Sequence, residues 1–362
     1  MPTRAATSFR AGPHLQVPLV VDGSGRVGPI AAIPQVLHEF GVEASEVAAN
    51  VGIDLDLFDS PDNTIPFTLM GRLFRACVAR SGCPHFGLLV GARSTISSLG
   101  IVSQLMQHAP NVGTALRNLV LYLQLHDRGA VPSLVVEDGT VLLGYAVYQN
   151  DVAATNQIYD AAIAIGANIM TALCGPGFRP AAILLRRSVP VDGEPYRQVF
   201  KAPVHFDADQ SALVFSAKWL RRPVTGADAR LYQALEAQAQ VLLNQMEIEF
   251  TDQVRRVLHA LVVTRHASAE QTAFLFGIHR RTLNRRLLAQ GTTFKALLQE
   301  VRFEIARQLL RGTRMPMVNV AEALGYTAPG AFTRAFRHWS GQSPSAWRAG
   351  AVAGLIGEPP EQ

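Results

Sequence analysis

Cysteine is scarce: the chain has three in 362 residues, Cys77, Cys83 and Cys174. Their spacing fits neither a metal site nor a disulfide framework, so buried, inert thiols in a reducing compartment are expected. Long apolar runs are missing too. The longest candidate, AAIAIGANIMTALCG, is short and carries Asn168, whereas a spanning helix needs about 18 or more apolar residues in a row. No membrane partner is expected. The start of the chain, with Arg4 and Arg10, is broken by Pro13 and Pro18 and does not read as a signal peptide. Charge is low, at 17%, against 48% apolar residues. That excludes a disordered chain and fits two or three domains with their own cores. Also absent are a nucleophile elbow, HExxH, a Walker loop and any paired-carboxylate motif. No catalytic residue, metal ligand or cofactor is expected, and the chain does not read as an enzyme.

One motif points the other way. GSGRVG, Gly23–Gly28, matches G-x-G-x-x-G and follows the apolar run Val17–Val21, as in a dinucleotide-binding turn. Pro29 and Pro34 sit where the following helix should run, and no second strand follows at the right distance. Linker glycines are the expected reading. The alternative it keeps open is a nucleotide-dependent oxidoreductase using the Gly23–Gly28 turn, with an appended DNA-binding tail.

What the chain does have is a lopsided charge. Residues 1–249 carry 18 basic and 21 acidic side chains, residues 250–350 carry 15 basic and 5 acidic, and the last twelve add two acids. A basic block confined to one end implies a polyanion-binding module joined to a near-neutral one.

The patterning changes in the same way along the chain. Residues 1–28 read as a flexible N-terminal segment. From Ala31 to about Asn111 the pattern is helical; TLMGRLFRACVARSG ends near Gly82. SLVVEDGTVLLGYAVYQ reads as two strands around Asp138-Gly139, a strong hairpin signal. A helix follows, over about Ala153–Leu173, and AAILLRRSV and ALVFSA read as further strands. Residues 29–225 are thus an α+β domain. A connecting helix at 226–248 carries Leu231, Leu235, Leu242 and Met246 along one side. After Thr251 only helices are expected, over 249–350, followed by a tail at 351–362. His108, His126 and His205 are candidate pocket residues. Arg186, Arg187, Arg221 and Arg222 read as solvated surface or interface. No ligand-binding residue is assigned.

The C-terminal block repeats itself. AFLFGI at Ala273–Ile278 matches AEALGY at Ala321–Tyr326, 48 residues on. A small residue allows two helices to cross closely, and Gly277 or Gly325 supplies a turn with positive φ. An arginine-bearing helix follows each. Leu283 and Leu287 face inward in the first copy; Phe332, Phe336 and Trp339 do so in the second. Arg280, Arg281, Asn284 and Arg285 then share an outer face by three-and-four spacing. That face suits a major groove, where Arg can be bidentate to guanine and Asn to adenine. In the second copy Arg334, Arg337 and His338 face out. Its opening, APGAF, offers little hydrogen bonding before Thr333, so phosphate contact through Arg334 and Arg337 is expected there. Between the copies runs FKALLQEVRFEIARQLLRG, a helix stopped at Gly312. It is long enough to set two recognition helices about one DNA turn apart.

These residues resemble the DNA-binding domain of the AraC/XylS family of bacterial transcription regulators. VAEALGYTAPGAFTRAFRHWSGQSPSAWR keeps, in order, that family's A-x-x-L-G-[FY], F-x-R-x-F and G-x-S-P-x-x-[WY]-R features. LGIVSQLMQHAPNVGTALRNLVLYLQLHDRG and EPYRQVFKAPVHFDADQSALVF are similar to the family's arabinose-operon-regulator-like effector domain. The resemblance implies an effector-sensing and dimerising domain, then two helix-turn-helix units joined by a long helix. Recognition helices fall at His279–Gln290 and Ala328–Trp339. It also implies double-stranded DNA, a small-molecule effector, a second copy of the chain and RNA polymerase as partners, and a cytoplasmic, nucleoid-associated place of action. One departure stands out: the first recognition helix opens with His279 where the family has serine, a better N-cap.

Overall fold

The computed structural model describes residues 20–149, 151–312 and 315–349. The expected tail at 351–362 and the first 19 residues of the expected lead lie outside them. In chain order the elements are β1 (Ser24–Arg26), α1 (Ile33–Glu39), α2 (Ala44–Asn50), β2 (Thr64–Pro66), α3 (Phe67–Ser81), α4 (Phe86–Arg93), α5 (Ile101–Gln107) and α6 (Val112–Tyr122). Then come β3 (Ala130–Glu137), β4 (Thr140–Val147), α7 (Thr155–Cys174), β5 (Ala182–Leu184), α8 (Glu194–Phe200), β6 (Val204–His205), β7 (Ala212–Ser216) and α9 (Ala229–Gln245). The chain continues through α10 (Phe250–Val263), α11 (Ala269–Leu275), α12 (Arg280–Ala289), α13 (Phe294–Gly312), α14 (Met317–Ala323) and α15 (Pro329–Ser340).

Local chemistry explains many of the boundaries. The Asn111 side chain caps α6 by accepting the Thr114 N–H, and Gly82 ends α3 at φ 67°. Asp138 and Gly139, at φ 47° and 75°, form the two-residue turn between β3 and β4, with Glu137 opposite Thr140. Positive φ at both positions is what a twisted hairpin needs. The main sheet runs β3-β4-β7-β5-β6, antiparallel except for β5 with β6. Helix α7 packs behind it and crosses α4 at very short range. A Cβ on Gly87 or Gly91 would come within 2.1 or 2.3 Å of the carbonyl oxygens of Gln157 and Ala161. Two glycines four residues apart let the helix backbones meet. Among the described residues, α7 alone has the length and apolarity to span a membrane, but two thirds of that stretch is buried in the protein.

Several expectations are corrected. Residues 20–28 are not all a flexible lead: β1 pairs with β2, Val27 is buried, and Gly25 bridges to Asp127. Gly25 of the GSGRVG stretch therefore lies inside a small strand paired antiparallel with β2, not in a turn that follows a parallel strand as a dinucleotide cradle requires. The strand in AAILLRRSV is only three residues long. Its neighbour β6 was not anticipated, since two residues carry no period. Arg187 is not solvated surface; it forms a buried ion pair with Asp160, which also accepts the Tyr196 hydroxyl. On α9 the buried stripe is Leu235, Ala239 and Leu243, while Leu231 is exposed. The cysteines are buried, with burial pushing the Cys77 thiol up to about 12.

The helical C-terminal region has its own core around Val254, Leu258, Leu283, Leu287, Phe332 and Phe336. It also docks on the α+β domain. Helix α10 lies against β3, which is an edge strand, and α11 against α6. Arg256 of α10 donates to the carbonyls of Asp127 and Ala130 and to the Tyr148 hydroxyl. Gln271 of α11 donates to the Leu134 carbonyl at 2.7 Å, and His266 meets Glu137. Between the two engaged carbonyls stands Pro132, which has no N–H to offer an incoming strand.

Candidate nucleic-acid interface

Each C-terminal unit is built as its sequence requires. In the first, α11 is capped by Ser268, and Ala273 is buried where α12 crosses. The turn passes through Gly277 at φ 62°, and the matching turn between α14 and α15 through Gly325 at φ 74°. Both are left-handed values that cost a residue with a Cβ. His279 caps α12 by accepting the Arg281 N–H on Nδ1 at 3.2 Å. The histidine thus takes over the capping role of the family's serine. At the second unit Ala328 supplies no side-chain cap; Pro329 opens α15 instead. Proline suits that position because its missing N–H would have had no partner.

Inward faces are as expected. Leu283, Leu287, Phe332 and Phe336 are fully buried. Outward, Arg281, Arg285, Arg334 and Arg337 are exposed, while Asn284 is half-buried. Arg280 is exposed but paired with Glu270 at 2.6 Å. Thr333 is half-buried and returns its hydroxyl to the Pro329 carbonyl at 3.0 Å, which occupies its proton.

The use of the other basic residues is informative. Arg286 stacks on Phe250, Arg302 on Tyr326, and Arg307 and Arg311 on Trp347. Arg255 binds Asp252 and Glu300, Arg348 binds the Met315 carbonyl, and Arg256 holds the α+β domain. These arginines build the fold through cation–π contacts and hydrogen bonds. Among the described residues of this block, only Arg265, Arg281, Arg285, Lys295, Arg334 and Arg337 have no side-chain partner of this kind. Four of those six stand on α12 and α15. The block's acids are largely occupied as well. Glu304, for example, meets His259 at 3.0 Å, and that hydrogen bond, before any other cause, holds its carboxyl below the usual range. Among the described residues, the unneutralised positive charge of this block is therefore concentrated on α12 and α15, where a polyanion would meet it.

An α+β domain joined to two helix-turn-helix units, with unpaired guanidinium groups on both recognition helices, defines the class of DNA-binding regulators. Comparison with known proteins places the chain within that class. Residues 41–224, just over half the chain, match the arabinose-binding N-terminal domain of AraC transcription regulators, and residues 272–350 match a helix-turn-helix domain. The chain belongs to the AraC family of transcription regulators. It is similar to the ornithine utilization regulator of Pseudomonas aeruginosa, at 27% identity over 319 residues, covering 88% of this chain and 94% of the relative. It is also similar to the transcriptional regulator VirS of Mycobacterium tuberculosis, at 26% identity over 288 residues, covering 78% and 84%. The crystal structure of the transcriptional regulator CdpR from Pseudomonas aeruginosa aligns over 84% of this chain and 96% of its own, at 23% identity and a TM-score of 0.44. The protein is thus a DNA-binding transcription regulator with a ligand-binding N-terminal domain, not an enzyme. The oxidoreductase alternative falls with the β1 geometry and the family.

The interface between the two domains was not legible beforehand. Arg256 lies 129 positions from Asp127, and nothing in its surroundings marks it off from the other arginines of the basic block. Of the three candidate histidines, His126 lines a cavity in the α+β domain.

Proposed function

We propose that the protein binds duplex operator DNA with α12 reading bases and α15 gripping the backbone. Arg281 and Arg285, assisted by Asn284, are the base-reading groups of the first unit, with Arg280 poised to exchange Glu270 for DNA. Arg334 and Arg337 contact phosphates; Thr333 plays a minor part. Helix α13, with 19 residues, spans about 28 Å and is the strut between the two units. Gly277 and Gly325 fix the turns. In this reading residues up to 225 sense and dimerise, 226–248 connect, and 249–350 read DNA, with residues 20–28 belonging to the sensing unit. The protein acts as a homodimer on the bacterial chromosome in the cytoplasm, contacts RNA polymerase, and responds to a small molecule bound in the N-terminal domain. An effector shifts such an equilibrium only by binding one domain arrangement better than the other.

The observation that carries this reading is the location of the unpaired arginines. Among the described residues, four of the six partnerless cations of the basic block sit on the two repeated helices. The test is selection of sites from random duplex DNA by the full chain, with and without cell extract. A defined sequence with two conserved segments about one turn apart is expected. Recovery of DNA with no sequence preference would refute base reading.

A further inference from the structure

The α+β domain holds a two-lobed chamber. One lobe, about 90 Å³, lies among Leu119, Leu143, Ile169 and Leu213; the other, about 50 Å³, lies among Phe67, Met70 and Phe74. Both lobes are lined by His126, Asp127, Tyr145 and Ala162. The walls are apolar, so the polar junction sets the chemistry. Asp127 is buried; its Oδ1 accepts the Gly129 and Ala130 N–H groups at 2.9 and 3.1 Å, and its Oδ2 accepts the Tyr145 hydroxyl. A carboxylate has about four acceptor sites, so one is left. The Tyr145 O–H is spent as a donor to Asp127. His126 gives its Nε2–H to the Ser98 carbonyl at 2.8 Å, and burial, then Arg26, drives its pKa down to about 4, so the ring is neutral. Arg26, the cation in the lining, is held by Asp62 at 2.7 Å. The junction therefore presents acceptors and a carboxylate.

The same turn faces the DNA-binding domain. Arg256 of α10 grips the backbone carbonyls of Asp127 and Ala130, at the two ends of the turn whose N–H groups the Asp127 carboxylate holds. We propose that this chamber is the effector site and takes a small organic amine. A compact apolar body fills the lobes, and its ammonium group binds Asp127 beside Tyr145. Binding there changes the turn from Asp127 to Ala130, and through it the grip of Arg256. This rests on the reading that DNA binding is effector-controlled. At roughly 10–15 Å³ for each water-sized position, the larger lobe admits a body the size of a substituted benzene ring.

The test uses the full chain and three probes of one shape: benzylamine, benzyl alcohol and benzoate. Calorimetry is expected to show benzylamine binding about tenfold or more tighter than the alcohol, with benzoate not binding. Ala162→Phe, which fills the wall shared by both lobes, abolishes benzylamine binding with the circular dichroism unchanged. Asp127→Asn keeps an oxygen for the Gly129 and Ala130 N–H groups and removes the preference for the amine over the alcohol. Benzoate binding best, no binding by any probe, or unchanged benzylamine binding by Ala162→Phe would each overturn the proposal. DNA affinity measured with cell extract separates this from the wider reading. A response retained in full by Ala162→Phe leaves effector control standing and removes the chamber. Benzylamine binding that follows the pattern above, without any effect of benzylamine or extract on DNA affinity, supports the chamber's chemistry and removes effector control.

Discussion

Acid should loosen the α+β domain through His126, by an amount that follows from its surroundings. The ring is 3% exposed, and burial first, then the Arg26 charge, lowers its pKa from 6.5 to about 4. Between those values the unfolded chain takes up a proton that the folded chain refuses. Stability contributed by the neutral ring is thus fully present above about pH 6.5 and is lost as the pH falls toward 4. That interval corresponds to about 3 kcal/mol. Buried carboxyls in the same core work in the opposite sense. Burial raises Asp160 to about 6 and also raises Asp127, so each favours the folded state as the pH falls through that window. The wild-type profile alone therefore mixes signs. His126→Gln keeps a donor for Ser98 and cannot titrate, so the difference between the two proteins isolates the ring. Urea unfolding from about pH 7.5 to 4.5, followed by near-ultraviolet circular dichroism, should show the wild type losing about 2.5 kcal/mol relative to the variant. Parallel profiles would show that the ring is solvated or charged in the folded protein, and the argument from burial would fail.

Other substitutions address the DNA face and the packing. Arg285→Ala should cost about 1–3 kcal/mol on the selected operator and relax preference at a single base pair; equal weakening on every sequence would contradict base reading. Arg337→Ala should weaken binding to all sequences and flatten the salt dependence by about one unit of slope, and an unchanged slope would count against a phosphate contact. Gly91→Ala sets a Cβ at 2.3 Å from the Ala161 carbonyl oxygen and should cost about 1–3 kcal/mol by forcing α4 off α7; an unchanged urea midpoint would mean that the two helices do not cross so closely.

How far the sequence revealed this molecule depended on how local the signal was. The hairpin was legible because Asp138-Gly139 fixes both strands by its own backbone preference. The two C-terminal units were legible because small residue, glycine and paired apolar positions recur at a fixed offset. The outward arginines of α12 and α15 followed from helical spacing alone. What stayed hidden depends on partners far apart in the chain. Gly87 and Gly91 look like ordinary glycines until α7, some seventy residues later, lies against them. Arg187 read as surface because its partner Asp160 sits in a different element. The GSGRVG stretch matched a nucleotide turn, but its conformation is set by pairing with Thr64–Pro66, which a pattern over six residues cannot see.

One consequence follows from where the first helix-turn-helix unit rests. The outward carbonyls of Ala130 and Leu134 on the sheet's margin are engaged by Arg256 and Gln271. Remove residues beyond about 249, and that margin loses its cover, with Pro132 as its main remaining guard. A truncated sensing fragment would then be prone to strand-to-strand self-association, and its apparent oligomeric state would reflect the cut rather than the intact regulator.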